Sequence, residues 1–308
     1  MKEIFVNLKR FDVSRNLGGV CPDSNPKQWI EQVMAQCVQL DLGRRDDLAV
    51  TFFLPEGLIL AAQEELSIHP KEATRMIRLG CQGVFREDVV KGGNFGAFTT
   101  NRPAAAVRGM GCSWTLIGHS EERQDKLGIM AAYDSSVLED EDQRNQAKKA
   151  VDGLINAEVL CALRANLDVL VCVGETAAEK GDGEFEAQKP RIESVLRSQL
   201  ETGLKGVAEF SGDRKIVIGY EPIWAIGPGK IPPGSDYIAF VSAFIKKATK
   251  ELYGFVPAVV YGGGLKEENA ALITGIPTID GGLVALTRFS GEIGFYPEEF
   301  RSIIEQIS

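Results

Sequence analysis

The sequence predicts an α/β fold, one (β/α)8 barrel spanning residues 1–308. Three observations predict it. Eight short apolar runs recur along the chain, each separated from the next by a stretch with helical spacing of apolar residues. Most runs are apolar throughout rather than alternating, as strands buried on both faces require. No linker-like tract and no internal repeat divides the chain into modules.

Residues 4–6 form the first strand. Side chains alternate along a strand, so Asn7 and Lys9 leave its carboxyl end on one face. Asn25-Pro26 starts a helix as an N-cap with proline at the first helical position. Trp29, Ile30, Val33, Met34, Cys37 and Val38 then follow at helical spacing. Leu48–Leu54 is the second strand, stopped by Pro55. A helix carries Ala61, Ala62 and Leu66, and residues 71–79 read as a second one. Residues 103–110 are a short helix, and 114–118 a fourth strand that ends on His119. The acidic run Glu139-Asp140-Glu141-Asp142 is a solvated helix start or loop. A helix over 147–165 leads into the fifth strand, 169–173, and one over 185–204 carries Ile192, Val195, Leu196 and Leu200 on one face.

The sixth strand organises the chain. Ile216-Val217-Ile218-Gly219-Tyr220 ends on Glu221, and Pro222, with no N–H to donate, stops the ladder. Trp224 follows, then a loop through Gly227 and Gly229. Ser235 caps the next helix, Ala258–Tyr261 is the seventh strand, Thr278-Ile279 is the eighth, ending near Asp280, and a helix over 297–307 closes the chain. A carboxylate at the carboxyl end of a parallel strand is where such barrels place catalytic groups.

Composition narrows the function. With 43 acidic against 34 basic residues the formal net charge is −9, which argues against a nucleic-acid surface. The six cysteines have no C-x-x-C spacing, which fits neither a zinc site nor a disulfide framework and points to the cytoplasm. There is no signal-peptide pattern, and Pro55, Glu56 and Gly57 break the most apolar stretch, so no membrane association is expected. Two histidines, His69 and His119, do not make a histidine-rich metal site, and no metal or cofactor is expected.

Five segments resemble the triosephosphate isomerase family, and they occur in family order. Asn7-Leu8-Lys9 is similar to its first-strand Asn-x-Lys. Ile117-Gly118-His119-Ser120-Glu121-Glu122-Arg123 resembles its electrophile segment. Val171-Cys172-Val173-Gly174-Glu175 and Tyr261-Gly262-Gly263 are similar to its fifth and seventh strand ends. Tyr220-Glu221-Pro222-Ile223-Trp224-Ala225-Ile226-Gly227-Pro228-Gly229-Lys230 resembles its base and lid. Singly, Lys9 reads as a surface lysine, His119 as a satisfied histidine at a helix start, and Cys172 and Glu175 as packing groups or supports behind the site. The combination carries the weight.

The resemblance implies a TIM barrel that interconverts dihydroxyacetone phosphate and glyceraldehyde 3-phosphate through an enediolate, with glycolysis and gluconeogenesis as its setting. Glu221 is then the base at carbon and His119 the neutral electrophile, the pairing known for triosephosphate isomerase itself. Lys9 faces the developing oxyanion, Asn7 adds a donor, and Glu121 holds the Lys9 ammonium. The resemblance also places the third strand at 81–85, an insertion at 86–94, an extended segment at 124–150, and a homodimer built through the loop of Gly96-Ala97-Phe98-Thr99.

Departures gather where the substrate phosphate is expected. Gly227 is kept, but Gly264 replaces a serine, and Ala285 and Leu286 stand where the family has two glycines. Leu286 is expected to crowd the anion unless it points away, with Arg288 as a substitute charge. Glu122 replaces an arginine. An isomerase of another phosphorylated sugar, such as a tetrulose phosphate, and a non-catalytic sugar-phosphate-binding barrel are the alternatives.

Overall fold

The computed structural model describes residues 1–227 and 229–307. Pro228 of the lid motif and the terminal Ser308 lie outside the described residues. Eight parallel strands close into a barrel in sequence order: β1 (Lys2–Asn7), β2 (Leu48–Leu54), β3 (Ile77–Cys81), β4 (Trp114–Ile117), β5 (Asp168–Val173), β6 (Ile216–Tyr220), β7 (Ala258–Tyr261) and β8 (Gly281–Val284). The closing seam pairs β1 with β8 in register Glu3 with Gly281 through Val6 with Val284.

Two cores result from the alternation of strand side chains. Phe5, Phe53, Trp114, Leu116, Leu170, Cys172, Val217, Val260 and Leu283 fill the barrel interior. Phe5 stacks on Phe53 and meets Trp114 edge-on, with ring centroids 5.6 and 5.1 Å apart. A larger cluster lies between the strands and the surrounding helices. At the amino end of the strands Glu3 is buried, paired with Arg78 at 3.1 Å and with Lys215. Removing both partners would leave a buried carboxylate uncompensated, a loss of about 3–5 kcal/mol.

Several expectations are corrected. Residues 71–79 are not one helix: a turn of helix at Lys71–Thr74 gives way to β3. The helical spacing failed here because β3 is short and includes Arg78, whose charge is absorbed by Glu3. β3 stops at Cys81, so the segment 82–85 is loop. The eighth strand starts after Asp280 instead of ending there. Its two leading glycines read poorly as strand, yet packing demands them: a Cβ at Gly281 would lie 1.8 Å from the Glu3 backbone oxygen. Ser235 is the first residue of the helix Ser235–Tyr253 and caps nothing; Gly234 takes the cap position. By contrast Asn25 does cap the helix Pro26–Gln39, accepting from the N–H of Lys27 at 3.2 Å and of Gln28 at 3.4 Å. The extended segment is helical, Ser120–Tyr133, Ser136–Glu139 and Glu141–Arg164, and the acidic run straddles the last helix start, with Asp140 as N-cap.

Gly281→Ala should destabilise the fold by about 2–3 kcal/mol, because the new methyl meets backbone across the barrel seam. A urea midpoint equal to that of the unaltered chain would show that the seam yields.

Candidate active site

Glu221 continues the β6 register, its N–H donating to Val173 O at 2.8 Å. Two glycines let neighbouring strand ends close on it. A Cβ at Gly174 would lie 1.8 Å from Glu221 O, and one at Gly262 would lie 3.1 Å from Glu221 Cγ. The residue is only 2% exposed. Oε2 accepts from the Ser120 N–H at 2.9 Å, and Oε1 lies 3.1 Å from His119 Nε2. Burial pushes its carboxyl above the ordinary range, against the opposing pull of His119, the Ser120 N–H, Lys9 and Arg123.

His119 is the N-cap of the helix Ser120–Tyr133. Its Nδ1 accepts from the Glu121 N–H at 3.3 Å. A ring nitrogen that accepts carries no proton, so the neutral ring has its proton on Nε2, facing Glu221. The turn before it is clamped from both sides. Glu122 Oε2 accepts from the Gly118 N–H at 2.6 Å while its other oxygen pairs with Lys126 at 2.5 Å. Arg123 donates to Gly118 O at 2.8 Å and Cys172 O at 3.0 Å and pairs with Asp152 at 2.5 Å. Glu122 thus anchors the histidine turn rather than touching the reacting groups. Beside it, burial and the Glu122 carboxylate push Glu158 up to about 8.

Lys9 sits at φ +39°, a conformation that costs a non-glycine residue about 1–3 kcal/mol. Three hydrogen bonds hold it there. Lys9 N–H donates to Asn7 Oδ1 at 3.0 Å, and Gln82 Nε2 donates to Lys9 O at 2.8 Å and Asn7 Oδ1 at 3.1 Å. Its ammonium meets Glu121 Oε1 at 2.7 Å, as the resemblance implies. Burial pushes the Glu121 carboxyl up, but Lys9 outweighs it and the net direction is down. Gln82 was missed in the sequence, although its position directly after β3 marked it as facing the mouth.

Trp224 opens the segment that resembles the family's lid. Its Nε1 donates to Glu175 Oε1 at 2.8 Å, an oxygen that also accepts from Tyr220 at 2.9 Å and Tyr237 at 2.7 Å. Glu175 therefore anchors the turn at Trp224, the supporting role expected of it. Its carboxyl is pushed up by burial against the pull of the three donors, and its Oε2 is buried without a partner among the described residues. Gly227 follows at φ +118°, with open space where a side chain would stand.

At the anion end one expectation changes. Ala285 and Leu286 have φ values that suit L-residues, and both half-buried side chains pack in part against the outer core. Their N–H groups have no partner within the described residues. Arg288 is not a free charge: it pairs with Glu299 at 2.5 Å and stacks on Tyr296 at 3.7 Å. Gly264, at φ +92°, keeps an unobstructed face.

A family model described as triosephosphate isomerase matches residues 30–307. The triosephosphate isomerase of Moorella thermoacetica is 37% identical over 211 residues, 68% of this chain and 70% of that protein. That of Chloroherpeton thalassium is 33% identical over 233 residues, 74% of this chain and 75% of its own. Among solved structures, triosephosphate isomerase from Bartonella henselae superposes with a TM-score of 0.65 over 99% of this chain and 98% of that one, at 23% identity, a likeness of fold. Asn7 and Lys9 precede the matched residues, so their place in the site rests on the geometry above.

Because Glu221 has a folded-state value above its unfolded one, it favours the fold at low pH and becomes a cost as pH rises through the folded value. Glu221→Gln should therefore stabilise the protein at pH 8, by about 1 kcal/mol. The gain should vanish below pH ~4, where the carboxyl is neutral in both states. Thermal melts at the two pH values would expose a mistake by showing a loss at pH 8.

Proposed function

The chain belongs to the triosephosphate isomerase family, and we propose that it interconverts dihydroxyacetone phosphate and glyceraldehyde 3-phosphate with Glu221, His119 and Lys9 as its catalytic groups. One observation carries the reading: a buried carboxylate lies 3.1 Å from a ring nitrogen whose opposite nitrogen already accepts a backbone N–H. That is a base beside a neutral donor, which proton transfer next to a carbonyl requires.

Glu221 takes a proton from the carbon beside the carbonyl, and the electron pair moves onto the carbonyl oxygen. His119 Nε2–H and the Lys9 ammonium stabilise the oxyanion, with Asn7 fixing the Lys9 backbone. His119 carries the proton of the neighbouring hydroxyl to that oxygen, its Nε2 giving one proton and regaining the other, and the carboxylic acid returns the carbon proton to the neighbouring carbon, leaving the carbonyl one position along. The raised Glu221 value makes it a stronger base than a solvated carboxylate. Releasing the Ser120 N–H frees Oε2 for that work. Backbone N–H groups of Gly227, Gly264, Ala285 and Leu286 are the proposed holders of the phosphate.

The loop carrying Thr99 supports a homodimer as the working form, because it presents Phe95 at 85% exposure and the exposed Val90. Six buried free cysteines support a reducing, cytoplasmic setting. No helix among the described residues is long and apolar enough to cross a membrane. A longer sugar phosphate such as a tetrulose phosphate is the second reading, favoured by the rebuilt loop after β8, where Arg288 bridges Gly294 and no helix forms.

Glu221→Gln should lower kcat on glyceraldehyde 3-phosphate by roughly a thousandfold, the scale of a well-placed general base. Turnover within tenfold of the unaltered enzyme would remove Glu221 from its role. Sedimentation at micromolar concentration should give a dimer, and a monomer would mean that residues 86–94 hold the Thr99 loop away from a partner.

A further inference from the structure

Barrels that hold a phosphate at this face commonly use the loops after the seventh and eighth strands together with the positive end of a short extra helix. This chain has the loops and lacks the helix. Between β8 and the helix Pro297–Glu305 the backbone turns back on itself through the Arg288–Gly294 bridge, with Thr287 and Arg288 N–H both donating to Gly294 O at 3.1 Å. The partial positive charge of a helix start is therefore missing, on a protein of net charge −9.

Three cations border this region, and two are committed. Arg288 is held by Glu299 and Tyr296. Arg15, from the loop after β1, donates to the Tyr296 hydroxyl at 2.7 Å and pairs with Glu292 at 3.3 Å. The third is Lys266. Its ammonium lies 4.6 Å from the centroid of the Phe289 ring, which ties the loop after β7 to the loop after β8. Its nearest carboxylate is Glu268 at 3.7 Å, 72% exposed on its side chain, a contact worth little in water.

The backbone places Lys266 well. Gly262 packs on Glu221, Gly263 leaves no room for a side chain beside Pro222, and Gly264 follows with an open face. Asn269 fixes this loop, donating to Gly264 O at 3.1 Å and accepting from the Lys266 N–H at 2.8 Å. Phe289, beneath the ammonium, stands three residues past Leu286. Lys266 thus joins the loop after β7, which carries Gly264, to the loop after β8, which carries Ala285 and Leu286, through its contact with Phe289.

We propose that Lys266 is the specificity residue for the anionic end of the substrate, supplying the charge that a helix N-terminus would otherwise supply. The proposal rests on the phosphorylated-sugar reading of the site. Its ligand class is a phosphate monoester dianion, gripped by one ammonium and by backbone N–H groups from both loops.

The test compares Lys266→Met and Lys266→Arg with the unaltered enzyme on glyceraldehyde 3-phosphate and on unphosphorylated glyceraldehyde, and measures binding of inorganic phosphate by calorimetry. Lys266→Met should raise KM for the phosphorylated substrate and Kd for inorganic phosphate by about 10–100-fold, the range for a hydrogen bond to a charged group. The ratio of kcat/KM between the two substrates should fall by a similar factor, and Lys266→Arg should recover most of it. Equal losses on both substrates would make Lys266 a structural residue and overturn the proposal, as would unchanged phosphate binding or no phosphate binding by the unaltered enzyme. If that enzyme binds phosphate through Lys266 yet does not isomerise triose phosphate, the catalytic reading fails while the anion site stands.

Discussion

Keeping one carboxylate out of water is the constraint on which the mouth of this barrel depends. Glu221 is unfavourable where it sits, since burial opposes its charged form. The surroundings compensate in part, through the Ser120 N–H, the His119 ring and the Lys9 and Arg123 charges. Those groups come from two strand ends, those of β1 and β4, so each set must be aimed by something else. Arg123 and Glu122 clamp the turn that aims His119, and Gln82 with Asn7 holds the strained Lys9. The polar network around the mouth is a set of supports for one destabilised group. That makes local instability a condition of function here rather than a defect.

Much of this was legible in the sequence. Strand ends that deliver Lys9, His119 and Glu221 are readable because a continuous apolar run stops at a polar residue, and that signal is local. β8 was not readable in the same way. Its glycines are demanded by the backbone of Glu3 across the seam, which is a contact between residues far apart in sequence. The same limit hid Gln82, whose partners Asn7, Lys9 and Phe53 lie on two other strand ends. It also misled about Leu286 and Arg288. A leucine in place of a glycine reads as crowding, and an arginine nearby reads as a charge to be used. Only packing shows the first resting in part on the outer core and the second neutralised by Glu299.

The substitution of Glu122 for an arginine illustrates how such a departure can leave the reacting groups in place. Its carboxylate takes over the Gly118 N–H, and the Lys126 ammonium beside it is shared with Glu158. A charge reversal on the histidine turn is absorbed by a neighbouring cation and by a second carboxyl that favours its neutral form. His119 Nε2 keeps its place 3.1 Å from Glu221 Oε1.

The Trp224 contact with Glu175 has an optical side. The chain holds three tryptophans, and the other two, Trp29 and Trp114, are sealed in the core at 4% and 0% exposure. Trp224 alone belongs to the lid's first turn, with its indole N–H on a carboxylate and the Lys180 ammonium 4.7 Å from its ring. Any swing of that turn changes both the charge and the water beside the indole, while the other two rings see neither. A substrate that moved that turn would alter the emission of Trp224 and leave that of the core pair unchanged. The lid carries its own fluorophore, placed by the same carboxylate that anchors the lid.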